Sequence, residues 1–281
     1  MKAHLREISQ QQKDSWNKFS PGWKKWDEIN MNFIKPMGDE IIRMIKIKDS
    51  DMVLDVAAGT GEPGLTIASM LKTGKVTSTD QAEGMLATAI EKAKSRGLKN
   101  FETKVCDVSE LPFNNNSFDA ISCRFGFMFF PDMLLAAKEM ARVLKPGGRV
   151  AFSVWDVPEK NFWITVMGGT INKYIQIQPP PPGAPGMFRC AAPGLMTSIF
   201  KEAGFSIISE TEVNSKLQCG TTEVYWNMMM EVAAPFEAAL NKADEEMKTK
   251  IKNEVFALVN KRFPGAVNFD SSAIVIGAEK K

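Results

Sequence analysis

The chain has 281 residues, 44% of them hydrophobic, enough for one large globular core or a core with insertions. Thirty-five basic side chains against thirty-three acidic ones leave a formal charge of +2, which excludes the broad positive field of a nucleic-acid binder. The four cysteines (Cys106, Cys123, Cys190 and Cys219) are far apart and show no C-x-x-C spacing, so they are expected as reduced core residues and not as metal ligands or disulfides.

Residues 1–16 are polar and charged without an apolar centre, so no export signal is expected. No uncharged apolar run approaches the roughly 18 residues of a bilayer span, which predicts no integral membrane association and a cytoplasmic location. Residues 10–48 place Trp16, Phe19, Trp23 and Trp26 on an amphipathic stripe interrupted by Pro21-Gly22, which predicts two helices in an N-terminal helical cap over 1–48. From 51 to 155 short β-rich runs alternate with helical segments. Strands are predicted at 51–56, 75–79, 101–106, 118–123 and 148–155, and helices at about 61–72, 82–96 and 132–145, the last stopped by Lys145-Pro146-Gly147-Gly148. Residues 157–192 contain the run Pro179 to Gly186, expected as a stiff extended lid. A helix at 193–203, strands near 206–213 and 272–279, and a helical insertion at 221–264 complete the pattern. Together these predict an α/β domain over 49–281: a doubly wound, Rossmann-like, mostly parallel seven-stranded sheet with helices on both faces and the last strand antiparallel.

The stretch Val53 to Gly64 runs an apolar strand into a glycine-rich turn and then a helix, an arrangement that binds a nucleotide-like ligand. Gly59 and Gly61 let the backbone turn tightly and approach that ligand. With Gly64 they satisfy G-x-G-x-x-G, and Asp80 follows sixteen residues later, so spacing alone leaves a nicotinamide or flavin enzyme open. Asp55, an acid inside the strand, argues instead for a ligand with a cationic part. Asp80 ends the second strand and can accept from two ribose hydroxyls, with Gln81 near ribose or base and Met85 as an apolar wall. Asp107 can accept from an exocyclic amine while Val108 offers an amide to a ring nitrogen, the pair of groups that an adenine edge requires.

Over about 40–155, and through the final strand, the chain resembles the class I S-adenosylmethionine-dependent methyltransferases. The resemblance implies that Asp55, Ala57, Gly59 and Gly61 form the first cofactor motif, that Asp80 binds ribose and Asp107 the adenine amine, and that Cys123 to Phe125, including Arg124, meet the methionine end. Leu111-Pro112-Phe113, Ser117-Phe118-Asp119 and Arg142 to Gly148 are similar to the small-molecule branch that includes quinone C-methyltransferases. The first motif reads Ala57-Ala58-Gly59 where that quinone group is richer in glycine, and the segment after the fourth strand is unusually aromatic.

Such a reaction is an in-line displacement at a sulfonium methyl, with S-adenosylhomocysteine as product, and alignment matters more to it than side-chain chemistry. Phe19, Trp23, Phe127, Trp155 and Phe188 are candidates to line a pocket for a small-molecule acceptor, and Arg189 to meet an anionic group on it. No catalytic residue is nominated. The sole histidine is His4, expected to be frayed, which leaves Tyr174, Tyr225 and Asp156 as possible bases. The competing reading is a cofactor-binding protein without turnover whose lid and insertion hold a partner.

Overall fold

The computed structural model describes residues 3–176, 181 and 183–281. Seven strands form its sheet: β1 (Met52–Val56), β2 (Lys75–Asp80), β3 (Phe101–Val105), β4 (Phe118–Arg124), β5 (Leu144–Trp155), β6 (Phe205–Gly220) and β7 (Val267–Lys280). Their order is β3-β2-β1-β4-β5-β7-β6. The first five pair in parallel and β7 lies antiparallel between β5 and β6. Strand order reverses between β1 and β4, so the connections on either side diverge and leave a crevice at the carboxyl ends of those two strands. Val53, Leu54 and Val56 of β1 and Ala120, Ile121 and Cys123 of β4 are buried, as expected of central parallel strands covered on both faces.

The helices are α1 (Ala3–Lys25), α2 (Asp27–Ile45), α3 (Gly64–Met70), α4 (Glu83–Ser95), α5 (Met133–Val143), α6 (Phe162–Ile175), α7 (Leu195–Glu202), α8 (Thr222–Val232), α9 (Ala234–Leu240) and α10 (Glu245–Arg262). Helix α2 buries Phe33, Met37, Ile41, Met44 and Ile45 at a 3–4 residue spacing. Gly277 of β7 admits that helix closely, since a Cβ there would lie 3.1 Å from the Met44 sulfur.

Several predicted boundaries are corrected. Pro21 does not interrupt the first helix: α1 continues to Lys25 and the chain turns at Trp26 instead. Proline removes the amide that would bond to the Asn17 carbonyl, and the Ser20 hydroxyl donates to that carbonyl at 2.9 Å in its place. Helix α3 starts at Gly64, because residues 61–63 complete the preceding turn. Lys145 to Gly148 does not precede β5 but bulges within it: Leu144 pairs with Phe118 and Arg149 with Ala120, so four residues stand opposite the single Asp119. β6 and β7 are longer than predicted, pairing as far as Gly220 and Val267, beyond the end of β5 where Trp155 meets Ala273. The insertion between them is α8, α9 and α10. The expectation of a stiff extended run falls partly on Pro179, Pro180 and Pro182, which lie outside the described residues. Beyond them the chain turns at 187–190, and the Gly186 amide donates to the Met128 carbonyl at 3.0 Å.

Gly22 sits where α1 crosses the end of α8, and a Cβ there would run into the Glu231 carbonyl. Gly22→Ala is therefore expected to lower stability by about 1–3 kcal/mol, as overpacking does. A urea midpoint equal to that of the unaltered protein would show that α1 is not held against α8 at this point.

Candidate functional site

The crevice begins with a carboxylate that has no access to solvent. Asp55 is completely buried, and strand register sets it opposite Ser78 of β2 and Ser122 of β4. The Ser122 hydroxyl donates to one carboxylate oxygen at 2.6 Å, and the Gly64 amide, at the start of α3, donates to the other at 3.1 Å. Burial raises its pKa to about 7, with the Ser122 bond, the charge of Arg124 and the Gly64 amide opposing the shift. Asp55 thus braces the glycine turn from beneath.

The three glycines of the turn divide their roles. Gly64 is required by Asp55 itself, since a Cβ would lie 2.7 Å from both the Asp55 carboxylate and the Ser78 hydroxyl. Gly61, at φ +104, was expected to face the ligand but is packed inward, where a Cβ would meet Leu65 and Ala89. Gly59, at φ +53, has nothing within 4 Å of its Cβ position and faces open space. Ala57 before it also has a positive φ, +53, and the residue after β4, Phe125, has +59. Two non-glycine residues in the left-handed region thus flank one crevice, a kind of strain that clusters at working sites.

Asp80 stands beside that opening at the end of β2. Its oxygens accept from the Gly59 amide at 3.0 Å and the Ala82 amide at 2.9 Å, while burial pushes its pKa upward against those bonds. The Gln81 amide is a third donor to the same carboxylate, so of its roughly four acceptor positions one is left for a further donor. Asp107 caps the short turn Val108–Glu110 after β3, accepting from the Ser109 amide at 2.8 Å and its hydroxyl at 2.7 Å. Its other oxygen accepts from the hydroxyl of Ser9 on α1, which also lies 3.1 Å from the Gln81 side-chain oxygen. Met85 and Val108 are buried next to this edge. Arg124, ending β4, donates to the Ile34 carbonyl at 3.3 Å and approaches the Met31 sulfur at 3.1 Å; desolvation lowers its pKa to about 10. Asp55, Ala57, Gly59, Asp80, Gln81, Asp107 and Arg124 are thus gathered along the carboxyl ends of β1 to β4.

The acceptor candidates are less united. Trp155 is buried, stacked on Phe125 at 4.1 Å and 16° and on Phe33 at 5.6 Å and 21°, so of this aromatic pile at the ends of β4 and β5 Phe125 alone is partly exposed. Phe125, half-buried and next to Arg124, was not singled out from sequence as an aromatic wall. Phe127 is corrected: it is wholly buried against Phe130, Phe152 and Phe200, because the short helical turn after Phe125 swings it into the core. Arg189 turns its two terminal nitrogens to the Phe130 and Pro131 carbonyls and leaves its Nε buried without a partner, so the structure shows the group bound to its own chain and not presented to a ligand. Phe19 is buried, Trp23 donates to the Val232 carbonyl at 3.2 Å, and Phe188 is half-buried against the core. The possible bases are committed elsewhere. The Tyr225 hydroxyl donates to the Trp163 carbonyl at 2.5 Å, the Tyr174 hydroxyl to Glu254, and Asp156 is paired with Lys160 at 2.8 Å, which together with the Val157 amide and Ser272 holds its pKa low despite burial. His4 lies exposed on the first turn of α1, which is helical where fraying was expected.

Ser9, Ser122 and Asp27 were missed. Asp27, at the start of α2, accepts from Thr60 of the glycine turn at 2.8 Å and pairs with Lys92 of α4 at 2.8 Å. A serine within the apolar stripe of α1 was the one available signal for Ser9.

Comparison with known proteins decides the ligand question that spacing left open. Residues 53–148 match the family model described as a methyltransferase domain. The demethylmenaquinone methyltransferase of Listeria monocytogenes is 30% identical over 210 residues, covering 69% of this chain and 86% of that protein. The ubiquinone/menaquinone biosynthesis C-methyltransferase UbiE of Bdellovibrio bacteriovorus is 39% identical over 137 residues, 49% of this chain and 56% of that one. Among solved structures, the YcgJ protein of Bacillus subtilis shares the fold, with a TM-score of 0.57 at 19% identity, over 87% of this chain and 98% of that one.

The buried Asp55 predicts a pH dependence of stability. Its folded pKa is raised, so its contribution is fully present below the ordinary value of 3.8 and is lost as pH climbs towards 7. Asp55→Asn should remove that slope, about 1.4 kcal/mol per pH unit for one proton. In urea melts the variant should therefore gain stability relative to the unaltered protein from pH 4 to 7, whatever its offset at pH 4; a constant difference contradicts the assignment.

Proposed function

We propose, on the premise that this chain belongs to the class I S-adenosylmethionine-dependent methyltransferases, that its small-molecule acceptor is a quinone-like ring in its reduced, phenolic form. When bound, the donor supplies a methyl group on a positively charged sulfur, open to in-line displacement and leaving S-adenosylhomocysteine. The residues present fit such a donor: the space over Gly59 lies beside a carboxylate that still has an acceptor position.

In this reading Asp80 holds the ribose hydroxyls, Asp107 and the Val108 amide take the adenine edge with Gln81 and Met85 beside them, and Ala57, Gly59 and Arg124 frame the amino-acid end. Asp55 supports these groups from below through Gly64 and Ser122 without exposing its own charge. Holding two reactants in line supplies about 7–11 kcal/mol of a displacement barrier, so the chain's work is chiefly positioning. The tyrosines and Asp156 are engaged away from the crevice, which suits an acceptor whose phenolic proton is already acidic and whose ring carbon is activated. The pile of Phe125 and Trp155 supports a flat ring, which would extend it by one more aromatic face.

We take 1–48 as a helical cap and 49–281 as the catalytic domain, with 157–192 and 221–264 on the acceptor side. The bonds from Asp27 to Thr60 and from Ser9 to Asp107 support a cap that belongs to the site. A cytoplasmic location accords with the four free cysteines. Among the described residues no helix is long and apolar enough to cross a membrane.

The observation that carries the reading is Asp80 beside the open Gly59. Asp80→Ala should weaken S-adenosylhomocysteine binding about 10- to 100-fold, the worth of one charge-assisted ribose bond at about 1.5–3 kcal/mol, as measured by titration calorimetry. Labelled donor incubated with a demethylated hydroquinone should yield a methylated ring. Equal affinity in Asp80→Ala would refute the ribose assignment, and methylation of simple amines with none of the hydroquinone would refute the acceptor class.

A further inference from the structure

Of residues 4–18 in α1, only Ser9 is buried. Its hydroxyl donates to the Asp107 carboxylate and lies 3.1 Å from the Gln81 side-chain oxygen, touching the two groups assigned above to the base of the ligand. The second half of α1 is held independently. Asn17 accepts from the Gly84 amide at 3.0 Å, Ser20 packs where Gly84 has no side chain, and Lys24 and Lys25 pair with Glu91 and Glu231. Trp16 meets Trp23 at 6.0 Å and Phe129 edge-on at 5.2 Å, marking where the anchored half begins. Before Trp16, Ser9 is the residue that ties the helix to the sheet edge, beside a cleft of about 350 Å³ lined by Arg6, Lys13, Gln81 and Asp107.

We propose that the Ser9 hydroxyl is a displaceable plug in the adenine subsite, so that ligand entry exchanges this donor for the adenine amine and frees the amino-terminal half of α1. The proposal rests on the assignment of Asp107 to adenine. Asp107 already receives the Ser109 amide and hydroxyl on one oxygen, so the oxygen left for an adenine amine is the one that Ser9 bonds. One donor replaces another of similar strength, and the exchange is therefore readily reversible. The hinge falls near Trp16, because the bonds of Asn17 and of the residues after it do not involve the subsite. Helix α1 thereby opposes cofactor entry, and any interaction that draws its first four turns away from the sheet raises affinity.

The test uses the whole chain with S-adenosylhomocysteine as probe. Ser9→Ala removes the plug while keeping a good helix former, and is expected to bind about tenfold more tightly by calorimetry, the worth of one charge-assisted hydrogen bond at the standard conversion of about 1.4 kcal/mol per tenfold. Ser9→Thr keeps the hydroxyl and should stay near the unaltered affinity. In hydrogen exchange, saturating ligand should speed exchange at residues 3–15 several-fold and leave 17–25 unchanged. Equal or weaker binding by Ser9→Ala, or slower exchange over 3–15 with ligand, overturns the plug while leaving the methyltransferase reading intact. Absence of heat from both the unaltered protein and Ser9→Ala overturns both.

Discussion

The crevice depends on one carboxylate kept from water. Asp55 joins its own strand to the first amide of α3, nine residues on at Gly64, and to β4, 67 residues on at Ser122. A buried charge without partners would cost several kcal/mol, so these bonds are a condition of folding as well as a feature of the site. The glycine turn is consequently held at both ends, by Asp55 at Gly64 and by Asp80 at Gly59. Backbone that must lie against a ligand is fixed before the ligand arrives, which is how a positioning catalyst lowers its entropic cost.

Around this brace the two sides of the crevice differ in kind. The β1 to β3 side is polar, with Asp80, Gln81 and Asp107 in a row at the strand ends. The β4 to β5 side is aromatic, with Phe125 held at positive φ so that its ring lies flat on Trp155. Arg124 stands at their junction, nearly desolvated and facing the first half of α2. The division suits a donor with a nucleoside end and an acceptor with a flat ring meeting between them.

The parallel strands were legible because burial on both faces writes short continuous apolar runs, such as Val53-Leu54 and the stretch from Ala120, between turn residues. Asp55, Gly59 and Asp80 were legible because strand, turn and acid follow one another in the chain. What was not legible depended on partners far away. Ser20 repairs the helix that Pro21 should have broken, and only the fold shows which carbonyl needs it. Ser122 and Ser9 act on carboxylates 67 and 98 residues distant and look like any other serine. In the aromatic run after β4, the left-handed turn at Phe125 leaves that ring half-buried on Trp155 and sends Phe127 wholly into the core, which the run itself does not reveal. The extra length of β6 and β7 was hidden because each is the other's partner beyond β5, with polar and apolar residues mixed along an edge.

The placement of β7 sets an order of assembly during synthesis. Strands β1 to β5 can pair as they emerge, each finding its neighbour already made. β6 cannot, because the slot between it and β5 belongs to residues 267–280, which leave the ribosome some fifty residues later. In the interval β5 presents a bare apolar edge ending in Trp155, and α8, α9 and α10 must form without their sheet. A nascent chain paused in α10 thus carries β1 to β5 already paired and an open β5 edge, the state most in need of a chaperone.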